Sequence, residues 1–241
     1  MDSPDSQTVP PPCHIFLLPY EIRERIYKYA LSTPNTVTWP TKLKASSVPG
    51  VSLLQTCRTI NDEASPIIYA HNAFSFPSPS DANMFSWTHY PWNRTTPLAR
   101  KITHLDLVIN DRDVRLWTGY LGSSLSERSL MHDYPALKTL RIKLRSSFFA
   151  MLVDLDVGDR FRRWTNDPRL RELCMSLENK TKAEVQIRCL ARMRREEIEL
   201  LVQTFKKDLF LDRNGKAKTW AVDIYGISVV MEIAELMLST G

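Results

Sequence analysis

Apolar positions recur first at a helical period and then at a period of two. From Leu18 to Leu31, Ile22, Ile26, Tyr29 and Ala30 fall on one stripe. Pro19 sits at a first-turn position and Glu21 complements the positive helix end, so the segment is expected to be a helix. Ser32 to Gly50 is rich in Pro, Thr and Ser and follows neither period, which predicts an exposed loop. Leu53, Cys57, Ile60 and Ala64 then recur at helical spacing, predicting a second helix from about Val51. Ser65 and Pro66 are expected to interrupt it, with a new turn capped by Ser65 continuing through Tyr69.

Short alternating runs come next. They begin at Phe74 and Phe76 and return at Leu105, Leu107, Ile109, at Leu140, Ile142, Leu144, at Val185, Ile187, Cys189, and at Trp220, Val222, Ile224, marking five candidate strands. Amphipathic stretches lie between them, clearest at Glu196 to Leu211, where Ile198, Leu201, Val202, Phe205 and Leu209 form a stripe; Ile227 to Leu238 also reads as helix. Strands alternating with helices predict right-handed crossovers and an α/β fold with a mostly parallel sheet. A parallel sheet covered on both faces would carry near-continuous apolar strands, so the alternation predicts helices on one face and water on the other. Ile102, Leu105, Leu107 and Leu137, Leu140, Ile142 have the spacing of leucine-rich repeats, and the expected arrangement is an irregular version of such a repeat.

If Leu140, Ile142 and Leu144 face the helices, period-two geometry turns Arg141, Lys143 and Arg145 to the open face. His104 and Asp106, Glu184, Gln186 and Arg188, and Asp223 and Tyr225 are expected beside them. From these, Asp106, Arg141, Lys143, Arg145, Gln186, Arg188, Asp223 and Tyr225 are the candidate target-binding residues. The alternative is a face that is merely hydrated or covered by a terminal helix.

Composition changes this picture little. The 241 residues are 43% hydrophobic and 24% charged, as in ordinary globular proteins, and 7 glycines leave few loops that could cradle phosphate. Charge changes it more. The formal +5 is uneven, because Arg141 to Arg195 holds 14 Lys and Arg against 7 Asp and Glu. Within that stretch Arg160, Arg162, Arg163 and Trp164 interleave charge with an aromatic ring, which gives nucleic-acid binding by residues 141–195 as an alternative function. The start has no secretory pattern and no apolar run approaches 18 residues, so the expected location is cytoplasmic or nuclear, with no membrane partner. Cys13, Cys57, Cys174 and Cys189 form no CxxC pair and read as free thiols.

Catalytic, metal and cofactor sites are not expected. The histidines at 14, 71, 89, 104 and 132 form neither HxH nor HxxxH. Asp154, Asp156 and Asp159 suggest a calcium loop, but Gly158 comes one place early and Thr165 stands where a bidentate Glu is needed. A cap for the helix containing Phe161 and Trp164 suits them better. No GxGxxG or GxxxxGK occurs.

Two runs carry a family resemblance. The first is Phe16, Leu17, Leu18, Pro19, Tyr20, Glu21, Ile22, Arg23, Glu24, Arg25, Ile26, Tyr27; the second runs from Leu53 to Ile60, then Glu63, Ala64, Pro66 to Tyr69, and Asn72, Ala73, Phe74. In order and spacing they resemble the fungal F-box-like family. That resemblance implies a module that docks onto the adaptor subunit of a cullin-type ubiquitin ligase and holds a target protein with the remainder of the chain. Leu17, Leu18, Pro19, Ile22 and Ile26 would bind the adaptor. The chain then divides into a disordered tail (1–13), an F-box-like helical module (14–72) and a β-α repeat-like domain (73–241). Without the resemblance, Leu18, Ile22, Ile26, Leu53, Cys57 and Ile60 are equally readable as two helices packed on each other.

Overall fold

The computed structural model describes residues 14–39, 48, 50–88, 98–126, 128–152, 154–204, 209–211 and 218–235. Within them the chain is a mixed α/β protein built on one eight-stranded sheet. The strands are β1 (Val37–Thr38), β2 (Ala73–Ser75), β3 (His104–Asn110), β4 (Thr139–Arg145), β5 (Glu184–Met193), β6 (Leu209–Leu211), β7 (Lys218–Ile224) and β8 (Ile227–Glu235). The helices are α1 (Tyr20–Leu31), α2 (Arg58–His71), α3 (Pro79–Thr88), α4 (Val114–Leu121), α5 (Leu130–Asp133), α6 (Phe148–Met151), α7 (Val157–Trp164), α8 (Pro168–Leu177) and α9 (Arg195–Thr204).

Strand order is β1-β2-β3-β4-β5-β8-β7-β6. Every neighbouring pair from β1 to β5, and β5 with β8, is parallel, while β7 runs antiparallel to both β8 and β6. The alternation seen in the sequence sorts residues between the faces as expected. Leu140, Ile142 and Leu144 are buried while Arg141, Lys143 and Arg145 are exposed, and β5 repeats the pattern from Val185 to Met193. Register aligns Leu105 with Leu140 and Leu107 with Ile142, so neighbouring strands present apolar rungs to the same core. Each such aliphatic contributes about 1.5–3 kcal/mol by burial. Trp117 and Tyr120 of α4 and Leu170, Leu173 and Cys174 of α8 belong to that core, which is continuous from Tyr27 of α1 to Ile233 of β8.

Several expectations are corrected. Helix α2 does not stop at Pro66; it continues to His71, because Ile60, Ala64, Ile67 and Ile68 bury one continuous face and outweigh the hydrogen bond that proline removes. Ser65 is not a cap, since its hydroxyl donates to Asn61 Oδ1 at 3.1 Å. The cap is Cys57, whose Sγ accepts from the Ile60 N–H at 3.5 Å, and the preceding Val51–Gln55 is a separate 3₁₀ turn. Gly50 begins that turn at φ 72°, and a Cβ there would lie 2.6 Å from the Ala30 carbonyl oxygen. Within Ser32 to Gly50, the described residues include strand β1, a buried Val37 and a buried Val48, with Trp39 edge-on to Phe85. Residues 40–47 and 49 lie outside the described residues, as does the tail 1–13.

The C-terminal part departs further. Ile227 onward is strand β8, not helix: Ile227, Val229, Met231 and Ile233 are buried in alternation, and the β-branched residues suit a pleated surface. The helix expected from Glu196 to Leu211 is α9, ending at Thr204, and 209–211 is strand. Residues 205–208 and 236–241 lie outside the described residues. Strands β7 and β8 form a hairpin through Tyr225 and Gly226, both at positive φ (54° and 76°), the signature of a type I′ turn.

Candidate functional site

Helix α1 is held by its polar edge. Arg23 of α1 donates from Nε and Nη2 to the two carboxylate oxygens of Glu63 on α2, at 2.9 and 2.6 Å. The same guanidinium donates from Nη1 to the Leu18 carbonyl at 2.7 Å and lies over the rings of Phe16 and Tyr20. Tyr27 adds a phenol O–H to Glu63 Oε2 at 3.1 Å. The Arg23 hydrogen bonds, helped by the Tyr27 phenol, hold the Glu63 carboxyl below its usual range, while burial pushes the Tyr27 phenol up. At the far end, the buried Asn72 amide donates to both the Leu31 and Ile68 carbonyls at 2.9 Å and accepts from the Thr33 N–H at 2.8 Å, tying the ends of α1 and α2 together.

This anchoring decides which stripe of α1 faces inward. Tyr27 and Leu31 are buried, whereas Leu18, Ile22 and Ile26 are exposed and Tyr29 is 92% exposed. Leu17, in the 3₁₀ turn His14–Leu17, is 72% exposed, and Pro19 is the N-cap residue. All five candidate adaptor-binding residues therefore lie at the surface, joined by Phe16, Tyr20 and Tyr29, to which the resemblance assigns no role. Isolated exposed apolar residues need no explanation; here they run from the 3₁₀ turn into α1, which makes this stretch a candidate contact surface.

No family model, curated protein or solved structure matches this chain. The functional reading therefore rests on its own surfaces.

The second surface is the open face of the sheet. Register lines up Asp106, Arg141, Gln186, Ser228 and Asp223 in one row across five strands, and Val108, Lys143, Arg188, Val230 and Ala221 in the next. Asp106 accepts from the Thr36 hydroxyl at 3.0 Å. Arg188 is braced by Gln186 at 2.8 Å and by Glu232 at 3.3 Å. Asp223 is exposed, but its carboxylate accepts the Gly226 N–H at 2.9 Å and serves the hairpin turn. Tyr225 is not on this face. It occupies the turn itself, where its hydroxyl accepts from Arg171 of α8 at 2.7 Å and its ring meets the same guanidinium. Strand β5 also outruns the alternation read from Val185 to Cys189, which brings Leu190 and Arg192 onto the face; extending the same period by four residues finds them.

The nucleic-acid constellation is dismantled by packing. Trp164 is 1% exposed and packs among Phe161 and Trp220, so no base can stack on it. Arg160 is buried too, donating to the Leu152 carbonyl at 3.1 Å and to Glu197 at 3.3 Å. Only Arg162 and Arg163 of that group reach solvent. Asp156 is the cap expected of it, accepting from the N–H groups of Gly158 and Asp159 at 2.7 and 3.3 Å. Burial pushes the Cys174 and Cys189 thiols up to about 12, which keeps both protonated at neutral pH. Among the described residues no group of His, Cys, Asp and Glu could hold a metal ion, and no helix is long and apolar enough to cross a membrane.

Proposed function

We propose that the chain is a protein-interaction module: an F-box-like substrate receptor that docks the adaptor of a cullin-type ubiquitin ligase through α1 and holds a target protein on the open sheet face. The observation that carries this reading is the exposed apolar run of Leu17 and Leu18, before α1, with Ile22 and Ile26 on it, beside the stripe of Arg23, Tyr27 and Leu31 that fixes the helix to the core. A rigid helix presenting aliphatic anchors is a recurrent way to meet a groove on a partner. The buried rungs shared in register by β3 and β4 support a leucine-rich-repeat-like reading of the sheet domain. With this role go a cytoplasmic or nuclear location and no catalytic site of the chain's own.

The test replaces Ile22→Asp together with Ile26→Asp. Both side chains are about 40% exposed, so folding stability should fall by about 1–3 kcal/mol, with the circular-dichroism spectrum still that of a folded chain. Copurification of a cullin adaptor should be lost. A folded wild-type chain with which no adaptor ever copurifies overturns the ligase reading.

A further inference from the structure

The cations of the open face are not distributed evenly. Arg141, Lys143 and Arg145 follow one another along β4, all exposed, and Arg192 stands on β5 beyond them. Among the described residues, none of these four side chains has a hydrogen bond or an ion pair, in contrast to Arg188, which Gln186 and Glu232 already engage. Charge left unpaired at this density raises the local potential and favours a partner of opposite sign.

The shape of the sheet concentrates the effect. Pairing between β4 and β5 ends at Leu144 and Cys189, whereas β5 continues to Met193 against β8 alone. Where β4 stops, a recess of about 920 Å³ opens, lined by Lys143, Arg145, Arg192 and Arg194 with the apolar Leu190 between them. Glu197 is its single acidic lining residue, and its carboxylate already takes Arg160 and the Arg194 N–H. The recess lies at the carboxyl ends of parallel strands, where open α/β sheets commonly bind their ligands.

We infer that the open face binds an extended acidic peptide segment of a target protein, lying along β4 with its carboxylates on Arg141, Lys143 and Arg145 and an apolar side chain against Leu190. The spacing matches. Alternate residues of a strand lie about 6.6 Å apart, in the cationic row of β4 and in an extended peptide alike, so acidic residues at every second position meet the row one to one. Two features disfavour a nucleic acid here. Phe149, the aromatic of the basic segment that lines the recess, is buried and offers no face on which a base could stack, and Leu190 offers an apolar contact that phosphate and sugar cannot use. This inference rests on the proposed target-holding role of the sheet and names the chemistry of the target.

The experiment is a fluorescence-anisotropy titration of the purified chain with a labelled dodecapeptide of alternating Glu and Ser carrying a central Leu, beside its Lys counterpart and a single-stranded dodecathymidylate. The acidic peptide should bind, weaken as salt rises from about 50 to 300 mM, and lose at least about tenfold in affinity with Lys143→Glu plus Arg145→Glu. Lys143→Gln plus Arg145→Gln should weaken it in the same direction by less, should the reversal disturb folding. Lys180→Glu plus Lys182→Glu, an equal charge change elsewhere, should leave it unchanged. The Ile22→Asp, Ile26→Asp chain should bind the peptide like the wild type, so failure at the helix surface is read separately from failure at the sheet. No binding at about 50 mM salt, an equal loss in the Lys180, Lys182 variant, or tighter binding of the oligonucleotide overturns the inference.

Discussion

Asn72 closes the far end of the α1 and α2 pair with its side-chain amide. It is 1% exposed and serves three backbone groups at once, two carbonyls and one N–H, drawn from helix ends 41 residues apart in sequence. Asn72→Ala removes the side-chain partners of the Leu31 carbonyl and the Thr33 N–H, while the Ile68 carbonyl keeps the backbone N–H of residue 72, and should cost about 3 kcal/mol, read as a lower urea midpoint with an unchanged slope. Asn72→Asp should be no better, because it keeps the acceptor for Thr33 but turns an oxygen toward both carbonyls. The sequence places Asn72 in a recognisable motif without showing this role, since its partner Leu31 is set by tertiary packing alone. The Asp156 cap is legible for the opposite reason: both of its partners lie within three residues. Tyr225 shows the limit of periodicity, as a turn residue at positive φ no longer belongs to either face of the strand before it.

At the scale of elements, one carboxylate joins the polar edge of α1 to α2. Glu63 has its pKa lowered in the folded state, chiefly by the Arg23 hydrogen bonds, so its contribution to stability is fully present above the ordinary carboxylate range and is lost as pH falls through the folded value. Glu63→Gln should therefore destabilise the chain at neutral pH, and the difference from wild type should shrink below about pH 4, measured as urea midpoints at both pH values. Equal differences at both would mean that the carboxylate charge is immaterial. That Tyr20 to Leu31 is a helix is plain from its period, but it carries two apolar stripes. Tertiary partners decide that Tyr27 and Leu31 turn inward while Ile22 and Ile26 turn outward: Glu63 and the apolar face of α2, and Asn72 at the far end. Strand β8 reads as a helix for a related reason: Ile227, Val230, Met231 and Ala234 fit a helical stripe as well as Ile227, Val229, Met231 and Ile233 fit a strand. The type I′ turn at Tyr225 and Gly226 resolves it, but Tyr is an unusual residue at that φ and gives no warning.

Across the whole molecule, the one-sided sheet is legible because alternation is a statement about two faces and survives any arrangement of the helices. Strand order is not, since nothing local to β8 says that it lies between β5 and β7 rather than at an edge. A solenoid loses one terminal repeat on truncation and keeps the rest. Here a chain stopped at Gly226 would lack an interior strand, leaving β5 and β7 with no partner between them, and is expected to be insoluble or unfolded by circular dichroism rather than merely shortened. A soluble, cooperatively folding fragment would show that the sheet is assembled from independent units. The position of β8 also sets the order of events during synthesis. As the ribosome releases the chain, β1 to β5 can pair as they emerge, but β5 must wait with one edge bare until the β7–β8 hairpin has been made and can dock as a unit. That interval is when the nascent protein is most open to pairing with the wrong strand, and a chaperone that shields β5 would act there.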